Sequence, residues 1–257
     1  MTFDNYREAY LGSRSNLLSA PPFILGDTIL FGVWVCHLRI SVCKMTRLKV
    51  GGATVGLDDA KVWARTYLME RPRTSAYPAY DGYPGSPSES VGAQDLLAVS
   101  LLNVSNNPIP VYYGLERLMA SINERLADPS IVGDLATADE KTLEAIVRLF
   151  GVLESTPVKY VRLTTLSKVL HRKRPNLLPL FDDNIGYCYS QCEDAPVPFQ
   201  DGRSHADYRH AWLKAIQRDL ATQLPYWEEI AAMAPGPKIT PLRALDIIGW
   251  ELGNRRA

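Results

Sequence analysis

The spacing of hydrophobic and polar residues changes at about Met45. From there Arg47, Lys49 and Thr54 alternate with Leu48, Val50 and Val55 about Gly51-Gly52. A two-residue period around a glycine pair predicts a β-hairpin. The spacing then becomes helical. Asp58 or Asp59 can cap a helix reaching about Glu70, stopped by Pro72. Residues 71–90 show no period, and Asp81-Gly82 and Pro84-Gly85 are consecutive turn signals. A loop of about 20 residues is long for a compact domain, and such loops are often functional.

Ser90, with Gln94 near the capping-box position, opens a predicted helix that is apolar nearly all round through Leu96, Leu97, Val99, Leu101 and Leu102, as suits a buried position. Pro110 opens another over residues 111–128, with Leu115, Leu118, Met119, Ile122 and Leu126 on one stripe. Thr137 or Asp139 opens a fourth, with Leu143, Ile146, Val147 and Phe150 inward. Residues 163–173 follow, with Leu163, Leu166, Val169 and Leu170 inward, then a shorter helix from Asp182 or Asp183. Ser204 caps a long helix to about Gln223, and Pro225 opens a short one to Met233. Thr240-Pro241 opens the last, with Leu245, Ile248 and Leu252 inward; proline directly after a threonine cap is a strong helix start. The pattern predicts a mainly α fold: a single globular multi-helix domain over residues 45–257 with a small N-terminal β-hairpin.

Residues 1–44 follow neither period and carry few charges. They are read as an irregular N-terminal extension outside the native domain, with Met45 as a natural start; the alternative is an arm that covers the core. Residues 23–43 are apolar but include Asp27, His37 and Arg39, whereas a membrane span needs about 20 apolar residues with few charges. The mixed charges of Asp4, Arg7, Glu8 and Arg14 do not resemble a signal peptide. No membrane association is expected, and the location expected is cytoplasmic. There Cys36, Cys43, Cys188 and Cys192 would remain free thiols.

Composition narrows the function. Lys plus Arg and Asp plus Glu both number 28, which argues against a broadly basic nucleic-acid coat but leaves room for a local patch. The cysteines form no Cys-x-x-Cys and only four histidines accompany them, so no metal site is expected. There is no Walker loop, Gly-x-Gly-x-x-Gly, His-Glu-x-x-His or Gly-x-Ser-x-Gly, and no cofactor is expected.

The densest chemistry lies between Lys159 and Asp182. Lys168, His171 and Arg172 stand at i, i+3 and i+4, on one polar face of the 163–173 helix. Cations at a helix C-terminus complement its dipole, Pro175 ends the helix, Leu177, Leu178 and Leu180 re-enter the core, and Asp182 or Asp183 caps the next helix. A functional reading stands beside this one. Lys159, Arg162, Lys168, Arg172, Lys173 and Arg174 have no acidic residue among them. With His171 they make a footprint for phosphates, DNA being the candidate partner, or for the acidic surface of a protein partner. In the long loop, Tyr80, Asp81 and Tyr83 are candidate substrate contacts, with Asp81 as an acid; surface turns are the plainer account. Asp182-Asp183 can be a cation site or helix caps. Cys188 and Cys192, at i and i+4, can be a ligand pair or a buried face.

From about Met45 the chain resembles a bacterial family of unknown function. The resemblance rests on Arg47-Leu-Lys-Val50, Tyr80-Asp-Gly-Tyr-Pro-Gly85, Asp95-Leu-Leu-Ala-Val99, Leu166-Ser-Lys-Val-Leu-His-Arg-Lys-Arg-Pro175 and Leu178-Pro-Leu-Phe-Asp182, and brings no activity with it. More distantly, the Ser167-Lys-Val-Leu-His171 and Leu180-Phe-Asp182 arrangement is similar to 8-oxoguanine-glycosylase-like members of the helix-hairpin-helix DNA glycosylases. That resemblance implies a glycosylase-like helical core, with Asp182 as the aspartate that stabilises an oxocarbenium-like sugar. Lys168 would be the attacking amine, which must be deprotonated to act. The basic cluster would hold the backbone, and Tyr80 or Tyr83 would stack on a flipped base. The chain departs from that superfamily in having no Gly-x-Gly in residues 157–165 and a shorter Lys-to-Asp separation, and Arg162 competes with Lys168 for the place of the lysine. These departures leave open a non-catalytic binding or regulatory module whose basic face contacts a protein partner.

A chain beginning at Met45 is expected to be soluble and to melt with the full-length chain. Failure of 45–257 to fold, seen by circular dichroism, would make residues 1–44 part of the domain.

Overall fold

The computed structural model describes residues 46–70, 75–102 and 107–256. The N-terminal extension and the Pro72 helix stop lie outside the described residues. The fold is mainly helical with a small two-stranded hairpin, as the periodicity predicts.

Strands β1 (Arg47–Val50) and β2 (Ala53–Gly56) pair antiparallel, with Val50 opposite Ala53 and the two glycines as the turn. Leu48, Val50 and Val55 are buried while Arg47, Lys49 and Thr54 face solvent. The tip is wedged into the domain. Gly51 donates its N–H to Asp219 Oδ2 (2.7 Å), and Gly52 donates to the Cys188 carbonyl (2.8 Å). Gly51 lies at φ +61°, and a Cβ there would stand 2.1 Å from the Cys188 oxygen. Only glycine satisfies both the left-handed backbone and the close approach.

Helix α1 (Leu57–Arg65) leaves β2 directly and runs into a π-helical turn, Thr66–Glu70. The expected cap at Asp58 or Asp59 is replaced by Gly56, without a side-chain bond. The helix starts as soon as the strand ends, so both aspartates already lie in its first turn, where they favour the dipole. The segment expected to be helical from Ser90 is a 3-10 helix starting later, Asp95–Leu102. Asn123 exchanges two hydrogen bonds with the Val91 backbone, and the Asp95 carboxylate accepts from Ser86 N and Gly92 N. These bonds hold the chain in a turn where a helix would have begun. Leu97 is half-exposed, so the apolar run is not buried all round.

Among the described residues the remaining helices begin in two ways, four at a side-chain cap and four without one. They are α2 (Pro108–Leu126), α3 (Glu140–Phe150), α4 (Val152–Ser155), α5 (Leu163–Lys173) and α6 (Asp183–Gly186) with a π-helical continuation Tyr187–Gln191. Helices α7 (His205–Thr222), α8 (Leu224–Ala231) and α9 (Pro241–Asn254) complete the domain. Asp139, Asp182, Ser204 and Thr240 each accept backbone N–H bonds in the first turns they precede, the local chemistry that sets where a helix begins. Helix α9 is central: Leu242, Ala244, Leu245, Ile247 and Ile248 are all buried, and it packs on α1, α6 and α8. Helix α5 is buried along Leu166, Val169 and Leu170, and packs on the 3-10 helix. Among the described residues no helix is long and apolar enough to cross a membrane.

Gly51→Ala is expected to destabilise the protein by about 2–4 kcal/mol, from left-handed strain plus overpacking. Urea denaturation reads this directly; an unchanged midpoint would mean that the hairpin tip is not wedged.

Candidate functional site

Helix α9 carries a charged pair, Arg243 and Asp246, one turn apart inside its apolar sequence. Both are buried. Arg243 donates Nε to Asp81 Oδ1 (2.8 Å) and Nη2 to Asp81 Oδ2 (3.2 Å), a bidentate pair. Its Nη2 also donates to Tyr67 Oη (3.0 Å) and its Nη1 to Asp246. A planar guanidinium suits this fork geometry as an ammonium cannot. Arg243 thereby ties α9 to the turn after α1 and to the loop that contains Asp81.

Next to Asp81, Tyr80 is fully buried. Its hydroxyl donates to the Lys168 carbonyl (2.7 Å), and its ring stacks on His171 at 6.3 Å between centroids. The guanidinium carbons of Arg172 and Arg243 lie 5.6 and 5.5 Å from the ring centroid. Tyr83 is anchored as well, its hydroxyl donating to the Gln94 carbonyl (2.9 Å).

The polar face predicted for α5 is not a solvent face. Lys168 is 6% exposed and His171 2%. Lys168 Nζ donates to the Leu102 carbonyl (3.0 Å). His171 Nδ1 lies 2.7 Å from the Leu178 carbonyl; a carbonyl only accepts, so Nδ1 carries the proton. Arg172 donates to the carbonyls of Asp81 (2.9 Å) and Tyr83. Lys173 Nζ pairs with Asp95 (2.7 Å), both side chains being buried, and donates to the Ser86 and Ser88 carbonyls. Arg174 pairs with Glu89 at 2.6 Å. The loop from Asp81 to Ser88 has no strand or helix to satisfy its carbonyls, and these side chains supply the donors. The structure thus gathers Lys168, His171, Arg172, Lys173, Tyr80, Asp81 and Tyr83 around one loop. Lys159 and Arg162, in the turn before α5, are exposed and stand apart from it.

Charge and burial set the chemistry. Burial lowers the Lys168 ammonium below its ordinary range; Asp182 and then Asp246 oppose the shift, and Arg243 adds to it. Asp182 caps α6, its Oδ1 accepting from Asn184 N (3.0 Å) and Ile185 N (2.9 Å). Burial raises Asp246 to about 6 against the pull of Arg243. Burial also holds His171 down at about 4, the Leu178 carbonyl bond opposing. An amine of reduced basicity within the field of two carboxylates, one of them near neutrality, is equipped for nucleophilic or proton-transfer chemistry.

Arg243, Asp246, Tyr67 and Asp95 were not singled out by sequence reasoning. The available signal was the charge buried in the apolar run Leu242-Arg-Ala-Leu-Asp-Ile-Ile248. Elsewhere, burial pushes the Cys188 thiol up to about 12, and Cys192 Sγ donates to the Cys188 carbonyl at 3.2 Å. Among the described residues no three His, Cys, Asp or Glu side chains are placed to hold a metal ion. A separate cavity of about 690 Å³ opens between α2, α3 and α7; there Arg148 meets Asp128 and Arg209 meets Glu154.

A mainly helical domain with a buried Arg–Asp network and an enclosed lysine is therefore the class that fold and site define. Residues 60–253 match a family of unknown function, DUF6308, and the chain belongs to that family. No curated protein and no solved structure matches it.

Asp246 and His171, the shifted groups that titrate in the mildly acidic range, act in opposite senses on stability. Asp246, raised from 3.8 to about 6, contributes stability that is present below pH 4 and is lost as the pH rises to 6. His171, lowered from 6.5 to about 4, contributes stability that is present above 6.5 and is lost as the pH falls to 4. The two offset each other between about pH 4 and 6. Asp246→Asn leaves the histidine contribution uncompensated, so stability should rise over this window more steeply than in wild type, by on the order of 2–3 kcal/mol. Urea denaturation at pH 4, 5 and 6.5 checks this, and parallel pH profiles would contradict it.

Proposed function

We propose that the protein is a glycosylase-like enzyme acting on nucleic acid, with Lys168 as the reacting amine and Asp182 as the carboxylate that stabilises positive charge on the sugar. The observation that carries this reading is the electrostatic setting of Lys168. Burial lowers the pKa of its ammonium, and the largest opposing influence is the charge of Asp182. A buried lysine with reduced basicity reaches the neutral, nucleophilic form near physiological pH more readily than an exposed one.

In the reaction, Nζ leaves the Leu102 carbonyl and attacks C1′ of the sugar. The N–C1′ bond forms as the bond from C1′ to the base breaks, and the base departs with the bonding pair and takes up a proton. The amine gives up a proton to a carboxylate, for which Asp246 is suited by its pKa of about 6. The C1′–O4′ bond then breaks: O4′ leaves with the bonding pair and takes up the proton held by the carboxylate, while the nitrogen lone pair forms the iminium at C1′. Phosphate contacts fall to the exposed Lys159 and Arg162, while Arg172, Lys173 and Arg174 brace the loop over residues 80–89. The alternative is a non-catalytic binding or regulatory module that meets a protein partner through its basic face. It draws support from the bond between Lys168 Nζ and the Leu102 carbonyl, which is a structural use of the amine.

Borohydride trapping on duplexes carrying damaged bases or abasic sites tests the reading. Wild type is expected to form a covalent adduct. Lys168→Gln, which keeps a donor for Leu102, should fold and form none. Asp182→Asn should slow base release on the order of 10²–10⁴-fold. Absence of both adduct and base release in wild type overturns the enzymatic reading.

A further inference from the structure

We infer that the outer face of α2 and the turn before α5 together form a docking strip for an unpaired nucleic-acid strand. Tyr113 and Tyr160 stack on its bases, and Arg117, Lys159 and Arg162 meet its phosphates. The inference shares with the proposed function the idea of a nucleic-acid ligand, but it is independent of Lys168 chemistry.

The first observation is the face of α2 turned away from the core. Val111, Leu115, Leu118 and Ile122 make the inward stripe and are buried. Ile109, Tyr113 and Arg117 stand at i, i+4 and i+8 and so share another face. Ile109 is 68% exposed and Tyr113 58%, and Arg117 is exposed as well. A surface helix ordinarily carries polar residues on that side; here Ile109 and Tyr113 lie outside the buried core, and the Tyr113 ring meets that of Tyr112 edge-on at 5.5 Å between centroids.

The second observation is how closely α2 approaches the turn before α5. A Cβ on Gly114 would lie 2.6 Å from Val161 Cγ2, 3.0 Å from Val158 Cγ1 and 3.4 Å from the Lys159 carbonyl. The glycine lets the helix backbone rest on residues 158–161. Tyr113, its neighbour in the chain, and Tyr160, on the turn itself, thus lie on the two elements that meet at this contact.

The third is the turn. Tyr160 has φ +71°, a left-handed conformation that costs an L-residue about 1–2 kcal/mol. The residue is nonetheless 45% exposed, with the Lys159 ammonium over its ring at 4.9 Å from the centroid. Strained backbone that presents an aromatic ring to solvent is a feature of ligand contacts rather than of core packing.

Charge selects the ligand. Arg117, Lys159 and Arg162 are exposed along this strip, with Glu116 and Glu124 as exposed acidic residues on α2. Solvent-facing aromatic rings set among cations fit bases and phosphates of a single strand, because every base offers a π-face and every nucleotide a charge. A paired duplex hides its base faces and would use the cations alone.

The test uses the full chain and a fluorescein-labelled 20-nucleotide oligo-dT, followed by anisotropy between 50 and 200 mM NaCl. Contact with three phosphates gives a log–log salt slope of about −2. Tyr113→Ala should weaken binding roughly fivefold to a hundredfold, and Tyr160→Gly, which suits the left-handed backbone, should do the same. Phe199→Ala, at another exposed aromatic, should leave binding unchanged. Absence of salt-dependent binding, or binding that neither tyrosine variant weakens, overturns the strip. Oligo-dT binding with this tyrosine dependence but no borohydride adduct sustains the strip and removes the Lys168 reading. An adduct with tyrosine-independent binding does the reverse.

Discussion

The buried guanidinium of Arg243 is the constraint on which the rest of the site depends. Removing an arginine from water is costly unless its charge and its donors are met. Here they are met by Asp81, Asp246 and Tyr67. Because Asp81 must reach Arg243, the loop bearing it is drawn onto the domain. Tyr80 is then enclosed between His171 and the guanidiniums of Arg172 and Arg243. The carbonyls exposed by that irregular backbone are answered by Arg172 and Lys173. A long loop that would otherwise be mobile becomes a fixed wall beside Lys168, whose carbonyl accepts the Tyr80 hydroxyl.

The same enclosure gives Lys168 its chemical character. The ammonium is desolvated, the charges of Asp182 and Asp246 partly restore it, and that of Arg243 works against it. Asp182 cannot swing freely, since its Oδ1 caps α6. In the proposed reaction this fixed carboxylate is the group that meets the charge developing on the sugar. Asp246 joins this group from α9 and links it to Arg243. The candidate chemistry and the bracing of the loop thus share one electrostatic network, and a substitution in either part perturbs the other.

The basic segment divides by location. Its C-terminal half, from Lys168 to Arg174, is directed at the protein's own carbonyls and carboxylates, chiefly those of residues 81–102. Its N-terminal half, Lys159 and Arg162, faces solvent in the turn that carries Tyr160. Sequence alone treats the segment as one patch because charge density does not reveal direction. Direction depends on which carbonyls and carboxylates lie opposite, and those come from residues 81–102.

What the sequence determined by itself is whatever is decided within a turn or two of chain. The hairpin about Gly51-Gly52 and the helix starts after Asp139, Asp182, Ser204 and Thr240 were legible because their bonds close over three or four residues. Ser90 and Asp58 failed as caps where distant or preceding structure had first use of the backbone, as Asn123 has at Val91. Only the tertiary structure decided that the polar face of α5 turns inward. Lys168 meets a carbonyl 66 residues away and Arg243 a carboxylate 162 residues away. No local pattern encodes such a meeting, because the energy of a buried charge is set by the partners the fold brings to it.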